Sequence, residues 1–428
     1  MLICLAVIFF FIFLVSIIGE KRAFTVFFAF CVIGCQYKIL GPFTIEDALI
    51  LLFLLMSINN VHFGQNARKY PLYILICTLM FSLSIMLSSI FTQTIPHYGL
   101  ALSSCLRITL LPFLFSYYIR TNQDIHYVVK FLIVITVFGF VLSFVSILLQ
   151  ENLYLNFLRV LFGEKIGWDR IAEKRFGFSR AQAFCLQPVS YGYICMTICS
   201  VFLLFVHKFK NIIGVSDMSM ISILFFSVIG CFLSGSRSSL VPILVCLLFF
   251  YRNRIFIGTH YIYILAFLCV AFFLYGDYLP QILLSITDSN TNPMGSSTDM
   301  RIEQLEISLH YFAKSPLIGM GTYAIFDLVG YQKGETILGG ESIWFSLLIN
   351  QGLFGCITYI FMYIGAFLSL KGSKTEAFVF LSLQLLNNTL TSIPGYDASL
   401  FLCFILFAGK LNSLSVLRTN GFIMSNIK

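Results

Sequence analysis

Long apolar segments alternate with short polar connections along the whole chain, and this pattern decides the fold class. A membrane-spanning helix needs about 20 apolar residues, and fewer when neighbouring helices bury it. The pattern therefore predicts an all-α polytopic membrane protein, a bundle of about 12–13 transmembrane helices. The predicted spans are Leu2–Ile18, Ala23–Tyr37, Ile45–Ile58, Tyr73–Phe91, Ser103–Ile119, Val128–Leu149, Pro188–Val206, Ser219–Leu233, Leu240–Tyr251, Ile255–Tyr275, Ile343–Leu370, Ala377–Ile393 and Leu400–Leu417.

Two longer polar stretches interrupt the alternation and divide the chain into five parts. Residues 1–149 hold the N-terminal transmembrane helices, residues 188–275 the central ones and residues 341–428 the C-terminal ones. Residues 150–187 and 276–340 form the first and second long loops. Both loops are rich in aromatic residues and neither is of low complexity, so we expect them to pack onto the bundle.

The second long loop ends directly at a transmembrane segment. Apolar residues recur with helical spacing after Asp299, which we predict as the N-cap (Ile302, Leu305, Leu309 and Phe312). Pro316 should end this helix, and the glycine-rich segment SPLIGMGTYAIF follows it. The segment GGESIWF then places Glu341 where the loop meets the next span. Ionisable groups at such a boundary are costly and often functional.

Basic residues occupy every second connection, which predicts the orientation in the membrane. The basic connections hold Lys21 and Arg22, Arg68 and Lys69, Arg120, Lys208 and Lys210, Arg252 and Arg254, Lys371 and Lys374, and Arg418. Intervening turns such as residues 92–99 and 394–397 hold neither Lys nor Arg. Cytoplasmic loops carry the excess of basic residues. Both long loops and the turn at residues 235–239 are therefore predicted to lie on the outer face, opposite the cytoplasm.

Composition agrees with lipid as the solvent, since 59% of residues are hydrophobic and 11% are charged. The net charge of +8 does not indicate nucleic acid, because the basic residues lie in short connections. The 13 Cys lie mostly in apolar segments, without metal-ligand spacing. The sequence holds no P-loop, GxGxxG, DxD-like or HExxH motif. We therefore expect neither a metal nor a cofactor.

Four arginines on the predicted outer face are candidates for anion binding. Arg107 lies inside a span, where it either faces a polar cavity or reaches the headgroups. Arg175 and Arg180 precede the span that starts at Pro188, and a guanidinium is the natural fork for phosphate oxygens. Arg237 lies in LSGSRSSL, a Ser- and Gly-rich turn whose backbone N–H groups can cradle an anion.

Two acids and one further arginine are candidates for chemistry. Glu341, beside Ser342, is the candidate general base, and Arg301 begins the helical segment before it. The alternative for Glu341 is a capping role at the helix N-terminus. Asp397, in IPGYDAS, is a second and weaker candidate acid.

The order of these motifs resembles the O-antigen polymerase (Wzy) family, within the O-antigen polymerase and ligase superfamily. The resemblance rests on the arginine-containing loop from Arg175 to Gly192, on LSGSRSSL, on the loop from Arg301 to Gly321 and on ESIWFSLLINQGLFG. The ligase branch has a His-Asn pair where this chain has Glu341 and Ser342, and this departure favours the polymerase.

The resemblance implies a metal-independent, inverting glycosyltransferase of the GT-C type in the bacterial inner membrane. It would polymerise undecaprenyl-diphosphate-linked repeat units at the periplasmic face, and it would have a polysaccharide chain-length regulator as partner. Glu341 and Arg301 would then be catalytic. Arg107, Arg175, Arg180, Arg237, Ser342 and Asp397 would bind diphosphate or sugar. The alternatives are a ligase that transfers glycan to lipid A-core and a flippase for the same lipid-linked sugar.

Overall fold

The computed structural model describes residues 2–33, 38–40, 43–60, 64, 70–162, 174–175, 178–185, 187–251, 298–328, 340–370, 372–391 and 397–425. The helices of the first half are α1 (Leu2–Ile18), α2 (Glu20–Ile33), α3 (Ile45–Ile58), α4 (Leu72–Ile90), α5 (Tyr98–Tyr118), α6 (Asn122–Leu149) and α7 (Leu153–Phe162). Next come α8 (Pro188–Val201), a π-helical turn (Phe202–Val206), α9 (His207–Ile213), α10 (Asp217–Leu233) and α11 (Arg237–Tyr251). The last helices are α12 (Thr298–Lys314), α13 (Ala324–Asp327), α14 (Ile343–Ser369), α15 (Lys374–Leu390) and α16 (Asp397–Ser425).

Within the described ranges, the strands form two short antiparallel pairs. Strand β1 (Lys38–Leu40) pairs with β2 (Phe43–Thr44), and β3 (Lys174–Arg175) pairs with β4 (Phe178–Ser179).

The predicted fold class is confirmed, because the chain is mostly helical and multi-pass. Within the described residues, five helices are long and apolar enough to cross a membrane: Leu72–Ile90, Tyr98–Tyr118, Asn122–Leu149, Pro188–Asn211 and Ile343–Ser369. Shorter apolar helices accompany them. Helices α1 and α3 have the predicted bounds, whereas most other spans begin several residues earlier than predicted. The predicted span Ile255–Tyr275 lies outside the described residues.

The segment Pro188–Asn211 lies at the centre of the bundle, with 89% of its apolar window buried. By contrast, only 33% of the corresponding window of α6 is buried, so that helix presents much of its surface to lipid. Helix α8 therefore supplies a central face that the neighbouring helices α10, α11 and α15 contact. The interior next to α8 is where polar side chains must find protein partners.

Helix α14 is broken at Gly352, and the glycine-rich loop after α12 fills the break. Gly352 has a φ of +61°, which only glycine adopts readily. Leu353 N donates to Pro316 O at 2.8 Å, and Met320 N donates to Ile349 O at 2.7 Å. Backbone groups freed inside a membrane protein need such partners. The predicted loop is thus a wedge that fixes α12 against the first half of α14.

The wedge leaves no room for a side chain at its closest approach. A Cβ at Gly319, whose φ is +73°, would lie 2.4 Å from the Asn350 carbonyl carbon. One at Gly321 would lie 2.1 Å from Thr92 Oγ1, and Thr92 Oγ1 itself donates to Met320 O at 3.1 Å. The glycines of SPLIGMG therefore serve close backbone packing.

Helix α12 exposes several of the apolar residues whose helical spacing predicted it. Ile302, Leu305 and Leu309 are 50%, 40% and 47% exposed, whereas the buried face holds Gln304 and Ile307. The helix is described from Thr298 to Lys314, so Asp299 lies within the helix and is not its N-cap, and Pro316 follows the end as predicted.

Contacts between connections define two ends of the bundle. At the outer end, as we name it, His97 contacts Asp327, Arg180 contacts the turn between α10 and α11, and Arg301 contacts Glu341 and the last residue of α15. At the inner end, Lys208 contacts Glu376. Each of these contacts therefore joins two connections that the charge alternation assigns to the same side of the membrane.

Candidate active site

The outer end carries an ion pair between the two residues predicted to be catalytic. Arg301 Nε lies 3.3 Å from Glu341 Oε2, and the two side chains are 39% and 31% exposed. Arg301 lies in α12, three residues after Thr298, whereas Glu341 lies just before α14. The wedge that locks α12 against α14 holds these two backbones in place. The pair is therefore built by the fold, from residues far apart in the sequence.

Ser342, and not Glu341, caps helix α14. Its backbone is extended, as is usual for an N-cap residue. Its Oγ accepts a hydrogen bond from Trp344 N at 3.3 Å and so pairs an N–H group that the helix itself leaves unpaired. Glu341 is thus not the N-cap residue, and its interaction with the helix dipole stays a prediction. Trp344 follows in the first turn, and its Nε1 donates to Thr389 Oγ1 of α15 at 3.0 Å.

Arg180 lies against the Ser- and Gly-rich turn between α10 and α11. Its side chain is buried, and its Nε donates to Ser234 O at 3.3 Å. Gly235 has a φ of +62°, and a Cβ there would lie 3.3 Å from Arg180 Cγ. The backbone of the turn approaches the arginine closely because Gly235 lacks a side chain. Arg237, the first residue of α11, is half-buried in the same turn.

The C-terminal end of α15, from Asn387 to Leu390, connects the turn between α10 and α11 to the Arg301–Glu341 pair. Ser239 Oγ, at the start of α11, donates to Asn387 Oδ1 at 3.0 Å. One helical turn further along α15, Leu390 O accepts from Arg301 Nη2 at 3.2 Å. Arg180, the turn that holds Arg237, and Arg301 are therefore linked through one continuous chain of contacts at the outer end.

Arg107 belongs to a separate buried cluster. Its Nε lies 3.6 Å from Asp47 Oδ1, its Nη1 lies 3.9 Å from Glu46 Oε2, and its Nη2 donates to Ser103 Oγ at 3.2 Å. The side chain is 11% exposed, so most of it is covered by neighbouring protein atoms. The guanidinium instead ties α5 to the first turn of α3. Its predicted role in substrate binding stays a prediction.

Two predicted residues are described by their backbone alone. Arg175 lies in β3 and pairs with Phe178 of β4, and Asp397 is the first residue of α16. Their side chains lie outside the described part of the structure, so their predicted roles remain predictions.

Sequence reasoning overlooked a second polar contact at the outer end. His97 Nε2 lies 3.2 Å from both carboxylate oxygens of Asp327, and Tyr323 OH lies 2.8 Å from Ser104 Oγ. These contacts hold the loop that precedes the Glu341 segment against the start of α5. No local sequence pattern predicts these two contacts, because the partners are more than 200 residues apart in the sequence.

Sequence reasoning also overlooked a buried amide face on α15. Gln384, Asn387 and Asn388 follow an i, i+3, i+4 spacing inside a predicted span, which puts them on one side of the helix. That spacing was a usable signal, because polar side chains in a transmembrane helix face the bundle interior. Among the described residues, no group of three or more His, Cys, Asp or Glu could hold a metal ion.

The comparison with protein families bears on the second half of this site. Residues 222–360 match the Wzy_C family model, O-Antigen ligase. The match confirms the resemblance to the O-antigen polymerase and ligase superfamily. The matched residues run from α10 to the middle of α14 and include Arg237, Arg301 and Glu341, whereas Arg107 and Arg180 lie outside them. A search of curated proteins found no match to the chain. The match points to a membrane enzyme of the O-antigen polymerase or ligase kind.

Proposed function

We propose that the chain is an inverting, metal-independent glycosyltransferase that polymerises undecaprenyl-diphosphate-linked repeat units at the periplasmic face of the inner membrane. The observation that carries this proposal is the ion pair between Arg301 and Glu341, which lies at the helix ends within the family match. Glu341 replaces the first residue of the His-Asn pair typical of the ligase branch, and this departure favours polymerisation.

The proposed reaction needs one group that accepts a proton and others that bind a leaving diphosphate. The acceptor hydroxyl of one lipid-linked unit attacks the anomeric carbon of the growing chain. The new C–O bond forms as the anomeric C–O bond to phosphate breaks, and the undecaprenyl diphosphate leaves with the electron pair. Glu341 takes the hydroxyl proton. Attack from the side opposite the leaving group inverts the configuration.

Arg301 is suited to bind the diphosphate, because guanidinium groups stabilise the negative charge that develops on a phosphate leaving group. Arg180 and Arg237 are proposed as further diphosphate ligands through their common turn. A diphosphate on Arg301 would compete with Glu341 for the same N–H groups. Donor binding would thereby release the Glu341 carboxylate for the acceptor hydroxyl.

The second candidate is a ligase, and the match to a family described as O-antigen ligase favours it. Glycan profiles of a strain that lacks this chain separate the two functions. A lipid A-core that carries a single repeat unit means that polymerisation alone is lost. A core without any repeat unit means that the chain is the ligase or a flippase, and the proposal is then wrong.

The proposed orientation has its own test. A reporter fused after Gly214 should be cytoplasmic, because this connection holds the basic residues Lys208 and Lys210. A reporter inserted after Lys314, in the second long loop, should be periplasmic. The reverse result at either site would exclude a periplasmic Glu341.

A further inference from the structure

The buried amide face of α15 has hydrogen-bonding capacity that its neighbours do not use. Gln384, Asn387 and Asn388 are 0% exposed. Gln384 Oε1, Asn387 Nδ2 and Asn388 Oδ1 have no hydrogen-bonding partner among the described residues. Buried polar atoms are nearly always paired, so each such atom in a folded protein calls for an explanation. Three on one helix face point to a ligand.

The other atoms of these amides are each held by a different helix. Gln384 Nε2 donates to Thr197 Oγ1 of the central α8 at 3.2 Å, and Asn387 Oδ1 accepts from Ser239 of α11. Asn388 Nδ2 donates to the hydroxyls of Tyr359 and Tyr363 of α14, at 3.1 and 3.2 Å. These bonds fix the orientation of each amide. The unpaired atoms are therefore preorganised where α8, α11, α14 and α15 meet.

The unpaired atoms define the chemistry of the ligand. Two of them are acceptors, and one, Asn387 Nδ2, is a donor. A hydroxyl group both donates and accepts, so a ligand with several hydroxyls satisfies both kinds. All three side chains are neutral amides, which suits a sugar better than a phosphate. Tyr359 and Tyr363 add aromatic surface beside Asn388, and aromatic rings pack well on the apolar faces of sugars.

The position of the face connects it to the proposed diphosphate site. Leu390 O, which Arg301 contacts, is three residues beyond Asn387, or about 4.5 Å along the helix axis. The amide face thus begins one helical turn from the ion pair and extends toward Gln384.

We propose that Gln384, Asn387 and Asn388 form a glycan subsite that binds hydroxyl groups of the sugar attached to the lipid diphosphate. The subsite rests on the proposed function, and it assigns recognition of the sugar to α15 and recognition of the diphosphate to the arginines. The three amides determine which sugars are accepted, because a site built to pair with hydroxyls rejects a ligand that lacks them.

Two probes separate the sugar from its lipid carrier. One is the lipid-linked repeat unit isolated from a strain that lacks this chain, and the other is undecaprenyl diphosphate alone. Dissociation constants of both are measured on the full-length protein in detergent. The test variants are Gln384→Leu, Asn387→Leu and the double variant. Leucine has the same branched shape as asparagine and no hydrogen-bonding atoms. Each substitution leaves one buried hydroxyl, Thr197 or Ser239, without its amide partner at a cost of about 1–3 kcal/mol, so thermal unfolding of each variant is measured beside binding.

Each substitution should raise the Kd of the repeat unit about 3- to 10-fold, the value of one hydrogen bond, and leave the Kd of undecaprenyl diphosphate within about twofold. Asn412→Leu is the matched control, since Asn412 is a buried amide at the inner end, where it accepts from Ser373. It should change neither constant. If a leucine variant fails to fold, Asn387→Ala replaces it, and it should likewise raise the Kd of the repeat unit without changing the Kd of undecaprenyl diphosphate.

Unchanged binding of the repeat unit by the double variant would overturn the subsite and leave the proposed function intact. An equal loss for both probes would overturn it as well, because the amides would then act through the lipid site or the fold. If the unmodified protein binds neither probe, both the subsite and the proposed function are wrong.

Discussion

Replacing Glu341 by Gln separates catalysis from stability. The substitution removes the charge of the carboxylate but keeps an oxygen that accepts from Arg301. The ion pair it weakens is between side chains that are 39% and 31% exposed, and pairs of this kind contribute about 0–1 kcal/mol to stability. Ser342 still caps α14, so the helix start is unaffected.

The expected loss of activity is much larger than that loss of stability. General-base assistance contributes typically ~10²–10⁴-fold, or about 2.7–5.5 kcal/mol of transition-state stabilisation. Glu341→Gln should therefore melt within a few degrees of the unmodified protein while it polymerises at about 1% of its rate or less.

The assay compares initial rates of chain growth from purified lipid-linked repeat units, with thermal unfolding of the same preparations. Glu306→Gln is the matched control, since Glu306 is an exposed acid on α12 that should affect neither quantity. Near-normal rates for Glu341→Gln would refute the role of Glu341 as the base and make Asp397 the next acid to test.

The remaining predictions concern the arginines, the wedge and the buried cluster. Arg301→Lys and Arg180→Lys should each lower the polymerisation rate at least ~10-fold with normal membrane insertion, because an ammonium cannot reproduce bidentate phosphate contacts; unchanged rates in both would contradict the diphosphate role. Gly352→Ala should destabilise the protein by at least about 1–2 kcal/mol, since its φ is +61° and a Cβ would lie 2.7 Å from Pro316 O, whereas Gly409→Ala, with open space around it, should not. Asp47→Ala should cost about 3–5 kcal/mol in thermal or denaturant unfolding, because it leaves the buried Arg107 guanidinium with an incomplete set of partners and also removes the carboxylate of the α3 capping box. A loss below about 1 kcal/mol would refute the buried pairing.

The sequence predicts the features that depend on a local pattern, such as the spans and the helix ends. It does not predict the features that depend on contacts between distant residues. Apolar runs located the spans, and Pro316 located the end of α12. The break in α14 was not predicted, because Gly352 lies in an apolar run that favours a continuous helix. It forms because the backbone of the loop after α12 replaces the helical hydrogen bonds.

The site was predicted in part for the same reason. The sequence indicates Glu341 by its position at a membrane boundary and Arg301 by its position at the start of the helical segment before it, but their ion pair requires the wedge between α12 and α14. The two acidic partners of Arg107 are about 60 residues away in the sequence, and only the packing of α3 on α5 identifies them. The exposed face of α12 shows that helical spacing alone does not reveal which side is buried.

The most direct test of the proposed function is the product that the purified full-length protein makes in vitro. The protein is incubated with lipid-linked repeat units and lipid A-core together, and the glycans are separated by size. We expect a ladder of undecaprenyl-linked chains that differ by one repeat unit, with none transferred to the core. Transfer of glycan to lipid A-core without any ladder would contradict the polymerase.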